Sequence, residues 1–319
     1  MALSSDLAAL PKAELHIHLE GAVRPATLEE FSARAGLTVP RFFDSLETFV
    51  EAFSIAWQAM ASPGDYGRMM REYCEDAARA GVRYAEVTMM TIGRPHDCLA
   101  EAIEAAAKQS DVEVRIIADI PRILPIEVAW AILDSIQEVP EVIGLGLGGI
   151  EAGYPPELFT EVFAKARERG LRSIPHAGEN AGPESIRGAL DALGAERIQH
   201  GVRAVEEPNL VRELAERQIS LAVCPTSNLL LGVVDSLDEH PLKELWASGV
   251  LISINTDDPG FFACDLVGEY EIAGRLLDLD RSGYARLARN AIDGSFAPEE
   301  LKREILADIG TWDERVTRS

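Results

Sequence analysis

Eight short β-prone runs recur along the chain, and each is followed by a turn and a longer helical pattern. The runs are Ala13–Leu19, Arg83–Thr88, Val112–Ile120, Val142–Leu147, Arg172–His176, Arg197–His200, Ile219–Cys224 and Val250–Asn255. Several are rich in Val, Ile and Leu without strict alternation of apolar and polar residues, which is typical of buried parallel strands. Helical stretches, several of them marked by Pro at the start or Gly just past the end, are Tyr66–Ala80, Cys98–Gln109, Pro156–Arg169, Pro183–Leu193 and Pro208–Arg217. Within 319 residues the alternation predicts one α/β domain, residues 1–319, folded as a (β/α)8 TIM barrel, with a doubly wound open sheet as the rival.

One segment is too long for a minimal strand–helix unit, because about sixty residues separate the first run from the second. Its aromatic residues lie near helical spacing. They are Phe42, Phe43, Phe49, Phe53 and Trp57. The first interpretation is a helix that packs its apolar stripe on the barrel. The second is a helical lid inserted after strand 1, over the barrel mouth, with one or two aromatics facing a substrate.

Composition restricts the class of partner. The chain has 30 basic and 53 acidic residues, a net charge of −23, and such a surface disfavours nucleic acid and anionic membranes. No apolar stretch approaches the ~20 residues that cross a bilayer, and the first ten residues lack the basic region of a signal peptide. Four cysteines without C-x-x-C spacing indicate reduced thiols. We therefore expect a cytoplasmic protein that binds a small molecule, with its oligomeric state left open.

Histidines and aspartates stand at the ends of four predicted strands. They are His16, His18, His176, His200, Asp257 and Asp258. Each has an ordinary structural explanation, as a core histidine or as part of an Asp-Asp-Pro-Gly turn. However, positions i and i+2 of a strand share a face, so His16 and His18 reach one point, and a barrel brings all these strand ends to one rim. Three imidazoles and a carboxylate suit zinc, and a position left for water makes such a site catalytic.

Glu179 follows His176 by three residues, after the small Ala177 and Gly178. A carboxyl group beside a metal centre can move protons, which we favour over the alternative of an acidic residue near a helix N-terminus. His96 and His240 precede predicted helices, and we expect both to be structural. Phosphate-binding loops, dinucleotide fingerprints and nucleophile elbows are absent from the sequence.

Five short motifs, in this order and spacing, together give a specific pattern. They are Pro11–Gly21, His176–Glu179, Gln199–Gly201, Cys224–Asn228 and Ser253–Pro259. With them the chain resembles the adenosine deaminase family, within the amidohydrolase-type metal barrels, over nearly its whole length.

The resemblance implies a zinc-dependent aminohydrolase of purine metabolism with one zinc ion per chain. The implied metal ligands are His16, His18, His176 and Asp257. By the same resemblance, Glu179 would protonate purine N1, and His200 would orient the water whose hydroxide, supplied by zinc, attacks C6. Asp258 would contact the ring near N7, and the Gly149 N–H would contact N3. The implied substrate is a 6-aminopurine or its nucleoside, with adenosine first.

Two departures from the family pattern bear on the substrate. Glu20 stands where many adenosine-cleaving members have Asp at a contact to the ribose 5′-hydroxyl, and its extra methylene moves the carboxylate by ~1.5 Å. Ile150 replaces an acidic residue and makes the wall there more apolar. Deamination of aminodeoxyfutalosine or adenine therefore stays open. Beyond deamination, a metal-dependent amide or phosphoester hydrolase and a catalytically silent metal-binding barrel are the remaining hypotheses.

Overall fold

Eight parallel strands form the centre of the molecule in a computed structural model that describes residues 2–93, 96–109 and 111–315. They are β1 Lys12–His18, β2 Val82–Met89, β3 Glu113–Pro121, β4 Val142–Gly148, β5 Arg172–Ala177, β6 Arg197–His200, β7 Ser220–Val223 and β8 Leu251–Ile254. Each strand pairs in parallel with the next in sequence. A bridge between Ile17 and Asp257 joins the end of β8 to β1, with the His18 N–H donating to the Asp257 carbonyl at 2.8 Å. The (β/α)8 barrel is confirmed, and the open sheet is wrong.

Helices surround the strands. They are α1 Ala2–Ala8, α2 Pro25–Ala35, α3 Leu46–Ala59, α4 Pro63–Arg79, α5 His96–Ala107, α6 Ile126–Ser135, α7 Thr160–Glu168, α8 Pro183–Asp191, α9 Pro208–Arg217, α10 Pro225–Leu230, α11 Leu242–Ala247, α12 Pro259–Phe262, α13 Leu266–Leu277, α14 Arg281–Asp293 and α15 Glu299–Glu314. Short 3-10 turns cover Pro156–Phe159, Val202–Glu206 and Leu237–Glu239. The five predicted helices are present, except that the stretch predicted as a helix from Pro156 begins with a 3-10 turn and becomes α-helical only at Thr160. Helices α13, α14 and α15 were not predicted. Among the described residues, none of these helices is long and apolar enough to cross a membrane.

The long segment after β1 contains α2, α3 and α4. A capping box between Ser45 and Thr48 begins α3. Phe49 of α3 packs on Phe262, with ring centroids 5.2 Å apart, in a small apolar cluster with Leu231 beyond the ends of β7 and β8. Phe42 is 81% exposed and contributes nothing to this cluster. The packing interpretation therefore holds for Phe49, while movement of α3 as a lid stays a prediction.

The opposite end of the barrel is closed by the turn between α14 and α15. We call Glu86, Arg197 and Phe296 the barrel floor. Arg197 and Glu86 form a fully buried ion pair at 2.5 Å, and the second Glu86 oxygen accepts the Phe296 N–H at 2.7 Å. The Phe296 ring lies 5.1 Å from the Arg197 guanidinium.

Candidate active site

Four side chains converge at the carboxyl ends of β1, β5 and β8. The Nε2 atom of His176 lies 3.1 Å from His16 Nε2 and 3.3 Å from His18 Nε2. Asp257 Oδ1 lies 3.2 Å and 3.3 Å from the same two nitrogens. Zinc–nitrogen bonds of about 2.0–2.1 Å in a tetrahedron place ligand atoms about 3.3 Å apart. The donor atoms therefore fit a divalent metal ion of this type, and the residues predicted as its ligands do come together.

The protonation states of His176 and Asp257, and the hydrogen bond of His16, also suit a metal. His16 Nδ1 lies 3.2 Å from the Ala222 carbonyl, so a proton there leaves the Nε2 lone pair facing the cluster. Burial, with the neighbouring histidines, holds the pKa of His176 well below its usual range. Burial alone would raise the pKa of Asp257, but His16 and His18 outweigh it and hold that pKa well below its usual range. A neutral imidazole and an ionised carboxylate are the forms that coordinate cations.

Two site residues have unusual backbone conformations. His200, the last residue of β6, and Asp257, three residues after the end of β8, have φ angles of 60° and 65°. This left-handed region is costly for residues other than glycine and is found where surrounding contacts hold it in place. For Asp257 such a contact comes from α10, because Ser227 Oγ donates to Asp257 Oδ2 at 2.7 Å.

Glu179 lies beside His200, with 3.5 Å between its Oε1 and the His200 Nε2. Its carboxyl is buried. Burial first, and then the charges of Asp257 and Glu151, raise the pKa of Glu179 well above its usual range. This environment favours the protonated form of the carboxyl group, which can donate its proton.

The loop that presents Glu179 is held by a single carboxylate, Glu151, which sequence analysis did not identify. Its oxygens accept the backbone N–H groups of Gly178 at 2.9 Å, Glu179 at 2.9 Å and Asn180 at 3.0 Å, and the hydroxyl of Ser185. The available signal was an acidic residue two positions after the Gly149 that ends the glycine run. Glu151 thus fixes the position of Glu179 and adds to the field that keeps it protonated.

A cavity of about 390 Å³ opens from this cluster. Its lining includes His18, His176, Glu179, His200, Asp257 and Asp258 together with a large apolar set. The apolar set is Leu46, Phe49, Val50, Phe53, Trp57, Met90, Ile92, Pro121, Ile123, Leu124, Ile150 and Leu231. The expectation of an apolar wall at Ile150 agrees with this lining, and three aromatics of α3 face the cavity.

Asp119, at the C-terminal half of β3, also lines the cavity and was missed by sequence analysis. It is 4% exposed, and its Oδ1 has no hydrogen-bond partner. A Cβ atom on Gly146 or Gly148 of the neighbouring strand would lie 2.5 Å from an Asp119 oxygen. Only glycine at these two positions leaves room for the carboxylate.

The residues predicted to contact substrate are placed differently from one another. Gly149 and Asp258 line the cavity. Burial, and then Asp257, raise the pKa of Asp258 well above its usual range. Glu20 lies fully buried behind Met90, whose N–H it accepts at 3.1 Å, and it also accepts the Tyr66 hydroxyl at 3.2 Å. Its assignment as a substrate contact stays a prediction.

Comparison with known proteins gives consistent results. The family model described as "Adenosine deaminase" matches residues 11–312. The aminodeoxyfutalosine deaminase of Streptomyces avermitilis is 39% identical over 97% of this chain and 93% of its own length. The crystal structure of adenine deaminase from Arthrobacter aurescens superposes with a TM-score of 0.90 at 33% identity, covering 95% of this chain and 99% of that one. The crystal structure of a Burkholderia ambifaria amidohydrolase with bound Zn superposes with a TM-score of 0.89 at 28% identity, covering 98% of this chain and 93% of that one.

Proposed function

The chain belongs to the adenosine deaminase family, and we propose that its substrate is a 6-aminopurine nucleoside with an aromatic extension at C5′, as in aminodeoxyfutalosine. The chain is a hydrolase that acts on C–N bonds of cyclic amidines. The proposed reaction consumes one water and converts the 6-amino group to a 6-oxo group with release of ammonia. Adenosine and adenine are the smaller alternatives.

The observation that carries this choice is the size and lining of the cavity. A purine placed with C6 against the histidine cluster occupies only the inner part of 390 Å³. The outer part is lined by Phe49, Phe53 and Trp57, whose burial of an aromatic group would contribute binding free energy. Adenine leaves this part empty, and adenosine places only a hydroxyl there. A relative that is 39% identical is named as an aminodeoxyfutalosine deaminase, which supports the same choice.

Asp119 supports a nucleoside over a free base. Asp119 lines the cavity and its buried Oδ1 has no partner, and a buried acceptor without a donor is costly unless a ligand supplies one. A sugar hydroxyl is such a donor, whereas adenine has no hydroxyl and could offer only its N9–H. The glycines at 146 and 148 preserve the room for this carboxylate.

We further propose that the metal is zinc, one ion per chain, held by His16, His18, His176 and Asp257. Bound there, zinc would lower the pKa of a water molecule toward ~7 and would so supply the nucleophile. The other roles belong to side chains. Glu179, kept protonated by its surroundings, donates to N1 and makes C6 more electrophilic, and Asp258, protonated for the same reason, donates to the N7 acceptor.

The test compares kcat/KM for aminodeoxyfutalosine, adenosine, adenine and AMP, followed by ammonia release and purine absorbance. We expect aminodeoxyfutalosine to exceed adenosine at least ~10-fold, a conservative value for burying an aromatic group. A higher kcat/KM for adenine or adenosine would overturn the substrate assignment and leave the deaminase assignment intact. Absence of ammonia from all four, with zinc bound, would overturn both.

Asp119→Asn provides a second test within one protein. We expect it to lower kcat/KM for both nucleosides ~10-fold or more, through the lost charged acceptor, and to change activity on adenine by much less. Gln58→Glu, at the far side of the same cavity, is the control for a general change of cavity charge. An equal loss of kcat/KM for adenine would show that Asp119 acts on the histidine cluster and not on the sugar.

A further inference from the structure

A chain of three hydrogen bonds leads from α11 to His200. It begins at the backbone N–H of Leu242, which lies 3.0 Å from Nδ1 of His240. A peptide N–H can only donate, so His240 Nδ1 must accept and carries no proton. This first step depends on no choice of side-chain protonation.

The proton of His240 therefore resides on Nε2. This atom lies 3.1 Å from Oδ1 of Asn228. Burial lowers the pKa of His240 to about 4, so the ring is neutral at pH 7 and has one proton to donate. The amide oxygen of Asn228 accepts it, which fixes the orientation of the amide.

Asn228 then has its amino group directed at His200. Its Nδ2 lies 3.2 Å from His200 Nδ1. The Asn228 side chain is fully buried, and its backbone N–H donates to the Cys224 carbonyl at 2.9 Å, so the residue has little freedom to turn. Because Nδ2 only donates, His200 Nδ1 must accept, and a neutral His200 carries its proton on Nε2.

The Nε2–H of His200 faces the reaction centre. It lies 3.5 Å from Glu179 Oε1 and 3.7 Å from Asp257 Oδ2. The oxygen that adds to C6 must occupy the space beside these three groups. We propose that Asn228 and His240 are positioning residues that hold His200 as the Nε2–H tautomer, so that His200 donates a hydrogen bond to the attacking oxygen and does not take its proton.

The opposite tautomer would present a lone pair to that oxygen. A fixed donor instead stabilises the negative charge that develops on it, and removing one such donor costs about 10²–10³ in kcat in other hydrolytic sites. It follows that a carboxylate of the site, and not His200, accepts the proton of the attacking water. The expected effect on kcat rests on the proposed deamination, whereas the assignment of the Nε2–H tautomer to His200 does not.

The test measures the tautomer directly by two-bond proton–nitrogen NMR on protein labelled with 15N-histidine, both metal-free and loaded with zinc. We expect His200 and His240 each to show the Nε2–H pattern in the metal-free protein. Asn228→Asp replaces the donor by an acceptor of the same shape, and we expect His200 to change to Nδ1–H with kcat about 10²-fold lower at pH 8 and KM little changed. Asn228→Ala removes the donor to His200 Nδ1 without supplying an acceptor in its place, and we expect a smaller fall in kcat than in Asn228→Asp.

His240 supplies the conservative variant. His240→Gln can accept from Leu242 and donate to Asn228, so we expect kcat within about 3-fold of the original, whereas His240→Leu loses at least about 10-fold. Asn209→Asp, on the exposed face of α9, is the matched control for the amide-to-acid change. An Nδ1–H pattern for His200 in the unmodified protein overturns the proposal, whatever the substrate. So does a larger loss in Asn228→Ala than in Asn228→Asp, which a purely structural role predicts.

Discussion

The floor and the rim of the barrel use buried charge in opposite ways. At the floor, Arg197 and Glu86 are fully buried and face each other at 2.5 Å; both Glu86 oxygens have partners, and Arg197 Nε, which has none, does not line the active-site cavity. At the rim, Asp119 is also buried, yet its Oδ1 atom has no partner. Buried ionisable side chains therefore close the fold at one end and leave binding capacity at the other.

In a barrel of this kind, binding sites are to be sought where a buried ionisable group faces a cavity without a hydrogen-bond partner. Burial of a charged group identifies a costly position but does not say why the cost is accepted. Whether the group has hydrogen-bond partners indicates why the cost is accepted. A paired charge is explained by the protein itself, whereas an unpaired charge facing a cavity is explained by a ligand.

We expect the greatest loss of activity from a change at the rim. Glu179→Gln removes the proton donor while keeping its shape, and we expect kcat to fall by about 10³-fold. Metal content and the midpoint of thermal unfolding should stay unchanged, since Glu179 is not among the four converging donors. Zinc analysis, calorimetry and an ammonia assay measure the three quantities. Loss of zinc in this variant would mean that Glu179 belongs to the metal site.

At the floor we expect loss of stability without loss of catalysis. Arg197→Ala leaves Glu86 buried and unpaired, at a cost of about 3–5 kcal/mol in the free energy of unfolding. Arg172 is a matched control, because its guanidinium also lies on the Phe296 ring, at 4.9 Å, but its ion pair with Glu196 is 49% and 35% exposed. Arg172→Ala should cost about 1 kcal/mol or less. Urea unfolding separates the two, and a fall in kcat of folded Arg197→Ala would contradict the division between floor and rim.

Lys12, at the start of β1, makes the stability of the folded chain depend on pH. It is fully buried and donates to the carbonyls of Leu7, Leu10 and Ala80. Burial, opposed in part by Glu14, lowers its pKa from 10.5 to about 7. Between these two values the unfolded chain binds more protons than the folded one, so this contribution to stability rises with pH.

The matching variant is Lys12→Met, which lacks the titration. We expect the stability of the original chain, relative to this variant, to increase from pH 7 to pH 10.5 by an amount on the order of 3 kcal/mol, since the three carbonyl acceptors favour the ammonium form and reduce the change. Urea unfolding at intervals across this range measures it. Parallel pH curves for the two proteins would show that Lys12 keeps its proton throughout.

Glu151 lies near the rim but, like Glu86 at the floor, has partners for both carboxylate oxygens, and we expect its replacement to affect activity only through Glu179. In Glu151→Gln, the NH2 group of the new side chain faces backbone N–H groups that donate to the carboxylate in the original chain. We expect kcat to fall about 10-fold through displacement of Glu179. Glu184→Gln is the control, because Glu184 accepts only the Gly182 N–H at 3.1 Å on the same loop. Equal effects of the two changes would remove Glu151 from the positioning of Glu179.

Sequence could predict the strands because buried parallel strands are continuous apolar runs, and it could predict which side chains meet because their strand ends meet at one rim. It could not predict α13–α15, whose alternating charged and apolar residues follow the last strand without a motif. Asp119 stands in an apolar run, so nothing marks it until Gly146 and Gly148 are seen beside it. The link from His240 to Asn228 depends on how the short α10 and α11 pack, which local pattern does not specify.

The left-handed backbone at His200 and Asp257 has a practical consequence. Glycine or asparagine at either position would relieve conformational cost while removing a functional side chain. A mutant library selected for heat resistance alone would therefore be enriched in inert barrels altered at residues 200 and 257. Engineering of this scaffold has to select for turnover and thermal tolerance together, because at these two residues the gain in one is the loss of the other.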